Sequence, residues 1–152
     1  MSVTTPQTQA PQTESGLLST RPVWLVGLLA TLAGAVVTEA FALVARAAGV
    51  PMEAAGPGAK EAAEIPVGGF FGGVVFWSVA GIVLAVALAR WAGRPARTFT
   101  VTTVALTALS LAGPAVAPHT ATSTQIVLAA SHVVAAAVVV PLLARRLAHV
   151  RR

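Results

Sequence analysis

Four long apolar runs constrain the fold of this chain more than any other feature. They cover about residues 23–45, 67–89, 99–117 and 125–144 of the sequence. Each run is close to the roughly 20 residues that an α-helix needs to cross about 30 Å of hydrocarbon. Because a bilayer offers no partner for an unpaired backbone group, runs of this length predict helices. We therefore predict an all-α protein, in which residues 21–147 form a bundle of four transmembrane helices.

The composition agrees with a membrane protein and excludes several kinds of site. Of the 152 residues, 56% are hydrophobic and only 10% are charged, whereas about 25% are charged in an average soluble domain. The chain has no cysteine, which excludes disulfides, thiolate metal sites and cysteine nucleophiles. The basic residues flank the apolar runs and do not alternate with aromatic residues, so we expect no nucleic-acid partner despite the net charge of +5.

The positions of the basic residues predict the orientation in the membrane. Cytoplasmic loops of membrane proteins carry the excess of arginine and lysine. One side of the predicted bundle has eight basic residues, which are Arg21, Arg90, Arg94, Arg97, Arg145, Arg146, Arg151 and Arg152. The other side has two, Arg46 and Lys60. We therefore predict a multi-pass protein of the bacterial cell membrane with both termini in the cytoplasm.

The segments outside the apolar runs are short and polar. Residues 1–20 are rich in Thr, Gln, Ser and Pro and contain one charged residue, Glu14, so we expect a disordered cytoplasmic tail. Residues 148–152 form a short basic cytoplasmic tail. In the loop after the first run, residues 59–64 read AKEAAE. Alanine and the spacing of Lys60 and Glu64 favour one or two turns of surface helix there.

Glu39 and His132 are two polar residues at costly positions within the apolar runs. Glu39 lies in the outer part of the first run, and His132 lies at a comparable depth in the fourth. A carboxylate at mid-membrane costs about 2.5–3.5 kcal/mol on insertion scales, so we expect a compensating partner. The functional hypothesis is a Glu39–His132 pair that accepts a proton or binds a cation. The alternatives are an interhelical hydrogen bond that only fixes packing, and a Glu39 that reaches the interface.

The third run carries a stripe of hydroxyl side chains. The residues of this stripe are Thr100, Thr103, Thr107 and Ser110, and their spacing places them on one helix face. They either line a polar path or act in packing, each hydroxyl bonding a carbonyl of its own helix. We favour the packing role. Pro114 and Pro141 are expected to kink the third and fourth helices.

Four glycines open the second run and form two overlapping pairs with a spacing of four residues. They are Gly68, Gly69, Gly72 and Gly73. Small residues at this spacing let transmembrane helices approach closely. We predict that they pack the second helix against a small-residue stripe of the first, formed by Gly27, Thr31 and Ala35. The alternative is that they join two chains in a dimer.

Several segments together resemble a known family. They are RPVWL at 21–25, TEAF at 38–41, IPVGGFFGG at 65–73 and SHVVAAAVVVPLLARRL at 131–147. Over about residues 21–147 the chain is similar to an actinobacterial family of uncharacterised four-helix membrane proteins. The resemblance implies this fold and a membrane location. It supplies no activity, substrate or catalytic residue.

No catalytic motif is found in the sequence. It lacks HExxH, GxSxG and GxxxxGK[ST], so we predict no enzyme activity, no cofactor and no metal ligand. The leading hypothesis is a membrane helper or interaction subunit. Its partners would be the lipid bilayer and either a second copy of the chain or another membrane protein. The alternative is a small transporter or proton-coupled carrier that uses Glu39 and His132.

Overall fold

The computed structural model describes residues 20–56 and 58–150, and these residues are mainly helical. The elements in chain order are α1 (Val23–Ala47), β1 (Glu53–Ala54), β2 (Ala63–Glu64), α2 (Gly69–Trp91), α3 (Pro95–Ser110), α4 (Ala112–Ala115) and α5 (Thr122–Ala148). Within the described residues, four segments are long and apolar enough to span a membrane: α1, α2, α3 together with α4, and α5. The predicted four-helix fold is confirmed. The predicted tail of residues 1–20 lies outside the described residues except for Thr20.

The third span begins earlier than predicted and is divided near its end. α3 begins at Pro95, where the missing N–H of proline leaves no donor unpaired because the first turn has no intrahelical acceptor for it. The span breaks at Leu111, and Pro114 lies in the short helix α4. Proline cannot donate to the carbonyl four residues back, which explains a break one turn before it. In contrast, α5 continues through Pro141.

The helix α1 is the central packing element of the bundle. Its buried residues are Val26, Gly27, Ala30, Thr31, Gly34, Ala35, Thr38 and Ala42. It packs against α2 on one side, where a Cβ atom at Gly27 would lie 2.8 Å from Cγ1 of Ile82. On the other side it packs against α5, and a Cβ atom at Gly34 would lie 2.7 Å from Cγ2 of Val139. The small-residue stripe predicted on α1 is therefore a packing surface.

The glycines of α2 do not provide the matching surface that we predicted. A Cβ atom at Gly72 or Gly73 would meet no neighbouring atom within 4 Å, and at Gly69 it would meet Ile65 just before the helix. The prediction that Gly72 and Gly73 pack against α1 is therefore wrong. The close approach of α1 and α2 instead places the bulky side chain of Ile82 in the notch at Gly27.

Two apolar clusters close the two ends of the bundle. At the loop end, which carries residues 48–68, the cluster contains Ala42, Met52, Phe70 and Val127. At the arginine end, the cluster contains Ala85, Phe99, Leu143 and Leu147. We define the arginine end by the start of α1, the end of α2, the start of α3 and the end of α5. It carries Arg21, Arg90, Arg94, Arg97, Arg145 and Arg146.

The loop between α1 and α2 contains a short β-hairpin. Strands β1 and β2 pair antiparallel, with Glu53 opposite Glu64. The N–H of Ile65 then donates to the carbonyl of Met52 at 2.7 Å, and Met52 is buried in the cluster at the loop end. The surface helix predicted for residues 59–64 is wrong. Burial of Met52 fixes the position of β1, and residues 63–64 then pair with β1 as the strand β2.

Candidate functional site

Helix α2 begins without a capping side chain of its own. Its N-cap residue is Gly68, which has a left-handed conformation with φ of 88°. The cap comes from α1: Oε1 of Glu39 accepts a hydrogen bond from the N–H of Gly68 at 2.7 Å. Its other oxygen, Oε2, accepts from the N–H of Phe71 at 2.9 Å. Glu39 therefore caps a helix whose N-cap residue lies 29 residues further along the chain.

This contact compensates for a carboxylate in an apolar region. The first N–H groups of a helix have no intrahelical acceptor, and the N-terminus carries a partial positive charge. Glu39 lies eight residues before the end of α1, a distance of about 12 Å at the rise of an α-helix. At that depth in a bilayer, water is scarce as a partner for the N–H groups. The carboxylate and the helix end satisfy each other.

Arg46 makes a second tie between α1 and the entry to α2. Its Nη2 donates to the carbonyl of Ile65 at 2.5 Å, and its Nη1 lies 3.5 Å from Oε1 of Glu64. Glu64 is 74% exposed, so this ion pair adds little stability. Arg46 lies seven residues after Glu39, two turns along the same face of α1. Together the two side chains hold the backbone from Ile65 to Phe71.

His132 makes a local hydrogen bond on α5. Its Nδ1 lies 2.6 Å from the carbonyl oxygen of Leu128. Because a carbonyl only accepts, Nδ1 must carry the proton, which leaves Nε2 of the neutral ring as an acceptor. Within the described residues, Nε2 has no hydrogen-bond partner. The ring lines a cavity in the side of the bundle.

The structure does not join Glu39 and His132. No hydrogen bond or ion pair connects them among residues 20–56 and 58–150, and both Glu39 oxygens accept from the start of α2. His132 lines the side cavity, whereas Glu39 is absent from its walls. The direct pair that we predicted is therefore wrong for this structure. The reason is that the start of α2 offers the carboxylate two N–H donors in fixed positions.

The hydroxyl stripe of α3 bonds to its own helix. Thr100 donates to the carbonyl of Ala96 at 3.0 Å, and Thr103 to that of Phe99 at 2.8 Å. The same pattern continues with Thr107 to Thr103 at 2.8 Å and Ser110 to Thr107 at 2.7 Å. Every donor of the stripe is used locally, which is the arrangement expected from the packing alternative. Three of the four residues, all except Thr100, also line the side cavity.

The side cavity lies between α2, α3 and α5 and has a volume of about 840 Å³. Helix α2 has far fewer contacts with α3 and α5 than with α1, and this unequal packing leaves the space open. Its walls are mainly apolar. Thr38 of α1 also lines it and is 1% exposed, and its hydroxyl has no hydrogen-bond partner in residues 20–56 and 58–150. The sequence pattern did not single out Thr38, because one threonine in an apolar helix is unremarkable.

Metal-binding side chains are not gathered in the described part of the chain. No group of three or more His, Cys, Asp or Glu residues there is close enough to hold a metal ion. The candidate site therefore consists of the start of α2 capped by Glu39, the Nε2 atom of His132 and the apolar side cavity.

Comparison with known proteins gives a family without an assigned activity. No curated protein and no solved structure matches the chain. A family model, described as a family of unknown function (DUF6069), matches residues 18–149. This match covers all four spans, so the chain, with its Glu39 cap on α2 and its side cavity, belongs to the DUF6069 family.

Proposed function

We propose that this protein is a non-enzymatic interaction subunit of the cell membrane that self-associates through α2. The observation that carries the proposal is the exposure of this helix. Of its 23 residues, only Phe70 and Ala85 are buried. Because α2 packs closely against α1 but makes few contacts with α3 and α5, most of its surface is free to pack against a second molecule.

One face of α2 has the features of a helix interface. Gly72, Phe76, Val79 and Val83 follow each other at intervals of four, three and four residues and are all exposed, so they share one face. Glycine costs about 1 kcal/mol relative to alanine inside a helix, and none of the described residues fills the space beside Gly72. A glycine notch one turn from Phe76, which is 70% exposed, is self-complementary across a two-fold axis. We therefore propose a second copy of this chain as the partner.

The contacts of Glu39 favour this role over that of a proton-coupled carrier. Proton uptake by Glu39 would compete with the two hydrogen bonds that hold the start of α2. The carrier alternative has support from one observation, which is the unpaired Nε2 of His132 in the side cavity. Without a partner carboxylate beside it, this nitrogen is better suited to binding than to a proton relay.

The orientation belongs to the same proposal and can be tested by reporter fusions. We propose that the arginine end faces the cytoplasm of an actinobacterial cell, because six described arginines are placed there and the acidic residues of the loop are at the other end. A reporter that works only in the cytoplasm should be active when it is fused after Val150 or within residues 92–94. A reporter that works only outside the cytoplasm should be active when it is fused after residue 56. A C-terminal tag that is accessible from outside the cell would contradict the orientation.

Self-association predicts a specific sensitivity at Gly72. When two differently tagged copies are expressed together, purification through the first tag should also recover the copy with the second tag. Gly72→Leu fills the notch and Phe76→Ala removes the knob, so each should reduce the recovered second copy by about fivefold or more, as expected for an interface term of about 1 kcal/mol. The matched control is Ala105→Leu, at an exposed position of α3.

The control separates the proposed interface from general exposure to lipid. Ala105→Leu should leave recovery of the second copy unchanged. Self-association through this face would be ruled out if the unaltered chain did not recover a second copy. It would also be ruled out if the Gly72 and Phe76 variants recovered as much of the second copy as the unaltered chain does.

A further inference from the structure

We infer that the side cavity binds an apolar molecule that carries a hydroxyl group, and that Nε2 of His132 accepts the hydrogen bond from it. This inference is independent of self-association, because the face of Gly72 and Phe76 is not part of the cavity wall.

The size of the cavity suits a small molecule. Its volume of about 840 Å³ lies within the range of about 300–1,000 Å³ that is usual for small-molecule sites. A cavity of this size has room for a long-chain or polycyclic molecule.

The wall provided by α2 keeps the cavity open. Gly81 lines it, and a Cβ atom there would meet nothing within 4 Å. Opposite α2, the apolar side chains of Leu106 and Leu128 contribute to the wall. An occupant therefore meets mostly apolar surface, as expected for a molecule dissolved in the bilayer.

The polar groups of the wall select a ligand that donates a hydrogen bond. The hydroxyls of Thr103, Thr107 and Ser110 already donate within α3, and that of Ser131 donates to the carbonyl of Leu128 at 2.7 Å. In the neutral imidazole with its proton on Nδ1, Nε2 of His132 is an acceptor, and it has no hydrogen-bond partner among the described residues.

Quenching of Trp77 fluorescence tests this inference. Trp77 lines the cavity, and replacing the two other tryptophans, Trp24 and Trp91, by phenylalanine makes it the sole reporter. The full chain in lipid nanodiscs is titrated with dibrominated octadecanol and, in parallel, with its methyl ether, which cannot donate a hydrogen bond. Bromine quenches tryptophan on contact. The alcohol should show saturable quenching at a concentration about fivefold lower than the ether, the ratio given by one hydrogen bond of about 1 kcal/mol.

Two variants and their controls assign the effect to the cavity. His132→Phe should remove the preference for the alcohol, whereas His119→Phe, in the loop before α5, should keep it. Gly81→Leu should fill the cavity and abolish saturable quenching by either compound, whereas Ala105→Leu should not. Equal quenching by alcohol and ether, a preference that survives His132→Phe, or saturable quenching that survives Gly81→Leu would overturn the inference.

Discussion

Replacing Glu39 by alanine is expected to lower the free energy of unfolding by about 2–4 kcal/mol, because hydrogen bonds to a charged group contribute more than neutral ones and a capped helix end loses its partner. The substitution leaves the N–H groups of Gly68 and Phe71 without an acceptor. In a bilayer, few water molecules are available to replace the carboxylate. The measurement is unfolding in mixed micelles, as the detergent that denatures the protein is titrated and helix content is followed.

Two further variants show whether the loss comes from the cap. Glu39→Gln keeps an oxygen acceptor and removes the charge, so it should lower stability by only about 1 kcal/mol. Glu61→Ala removes an exposed carboxylate of the loop and should change stability by less than about 0.5 kcal/mol. An unchanged stability of Glu39→Ala would show that the contact with α2 contributes nothing.

The second large effect is expected at Gly34, where α1 and α5 approach each other. Gly34→Leu should lower the free energy of unfolding by about 3 kcal/mol, because overpacking a close contact forces side chains and backbone apart. A Cβ atom there would already lie 2.7 Å from Cγ2 of Val139, and the β-branched valine has little rotamer freedom to move away. The same detergent titration measures the effect.

Gly81 provides a matched control for Gly34 because it also lies inside a helix. Its Cβ position has open space, so Gly81→Ala should raise stability by up to about 1 kcal/mol through the better helix propensity of alanine. Gly34→Ala gains the same propensity and also meets Val139, and it should be less stable than the unaltered chain. Equal stabilisation by both alanine variants would show that α1 and α5 do not pack closely at Gly34.

The fold was predictable from sequence because the membrane imposes strong constraints on it. Runs of about 20 apolar residues have few alternatives to a helix in hydrocarbon, and all four spans appeared near the predicted positions. The packing surface of α1 was also predictable, since Gly27, Thr31 and Ala35 repeat at a spacing of four residues. Local rules were less informative in the loop, where burial of Met52 gave a hairpin in place of a helix.

The site was harder to predict because it depends on where helices meet. Depth alone suggested that Glu39 and His132 were partners, but depth does not specify the face on which a side chain lies. A signal for the actual partner was present in the sequence. Residues 65–69 read IPVGG and contain no Ser, Thr, Asp or Asn to cap the helix that follows. A helix start without a cap and a carboxylate without a partner together indicate the contact that the structure contains.

The most direct test of self-association through α2 is disulfide cross-linking in intact membranes. The chain contains no cysteine, so a single introduced cysteine has no competing partner within the molecule. Val79→Cys lies on the proposed interface, and Val104→Cys is a comparably exposed position on α3. We predict that oxidation converts the Val79→Cys protein to a covalent dimer while the Val104→Cys protein remains monomeric. A monomeric Val79→Cys protein, or equal cross-linking at both positions, would contradict the proposal.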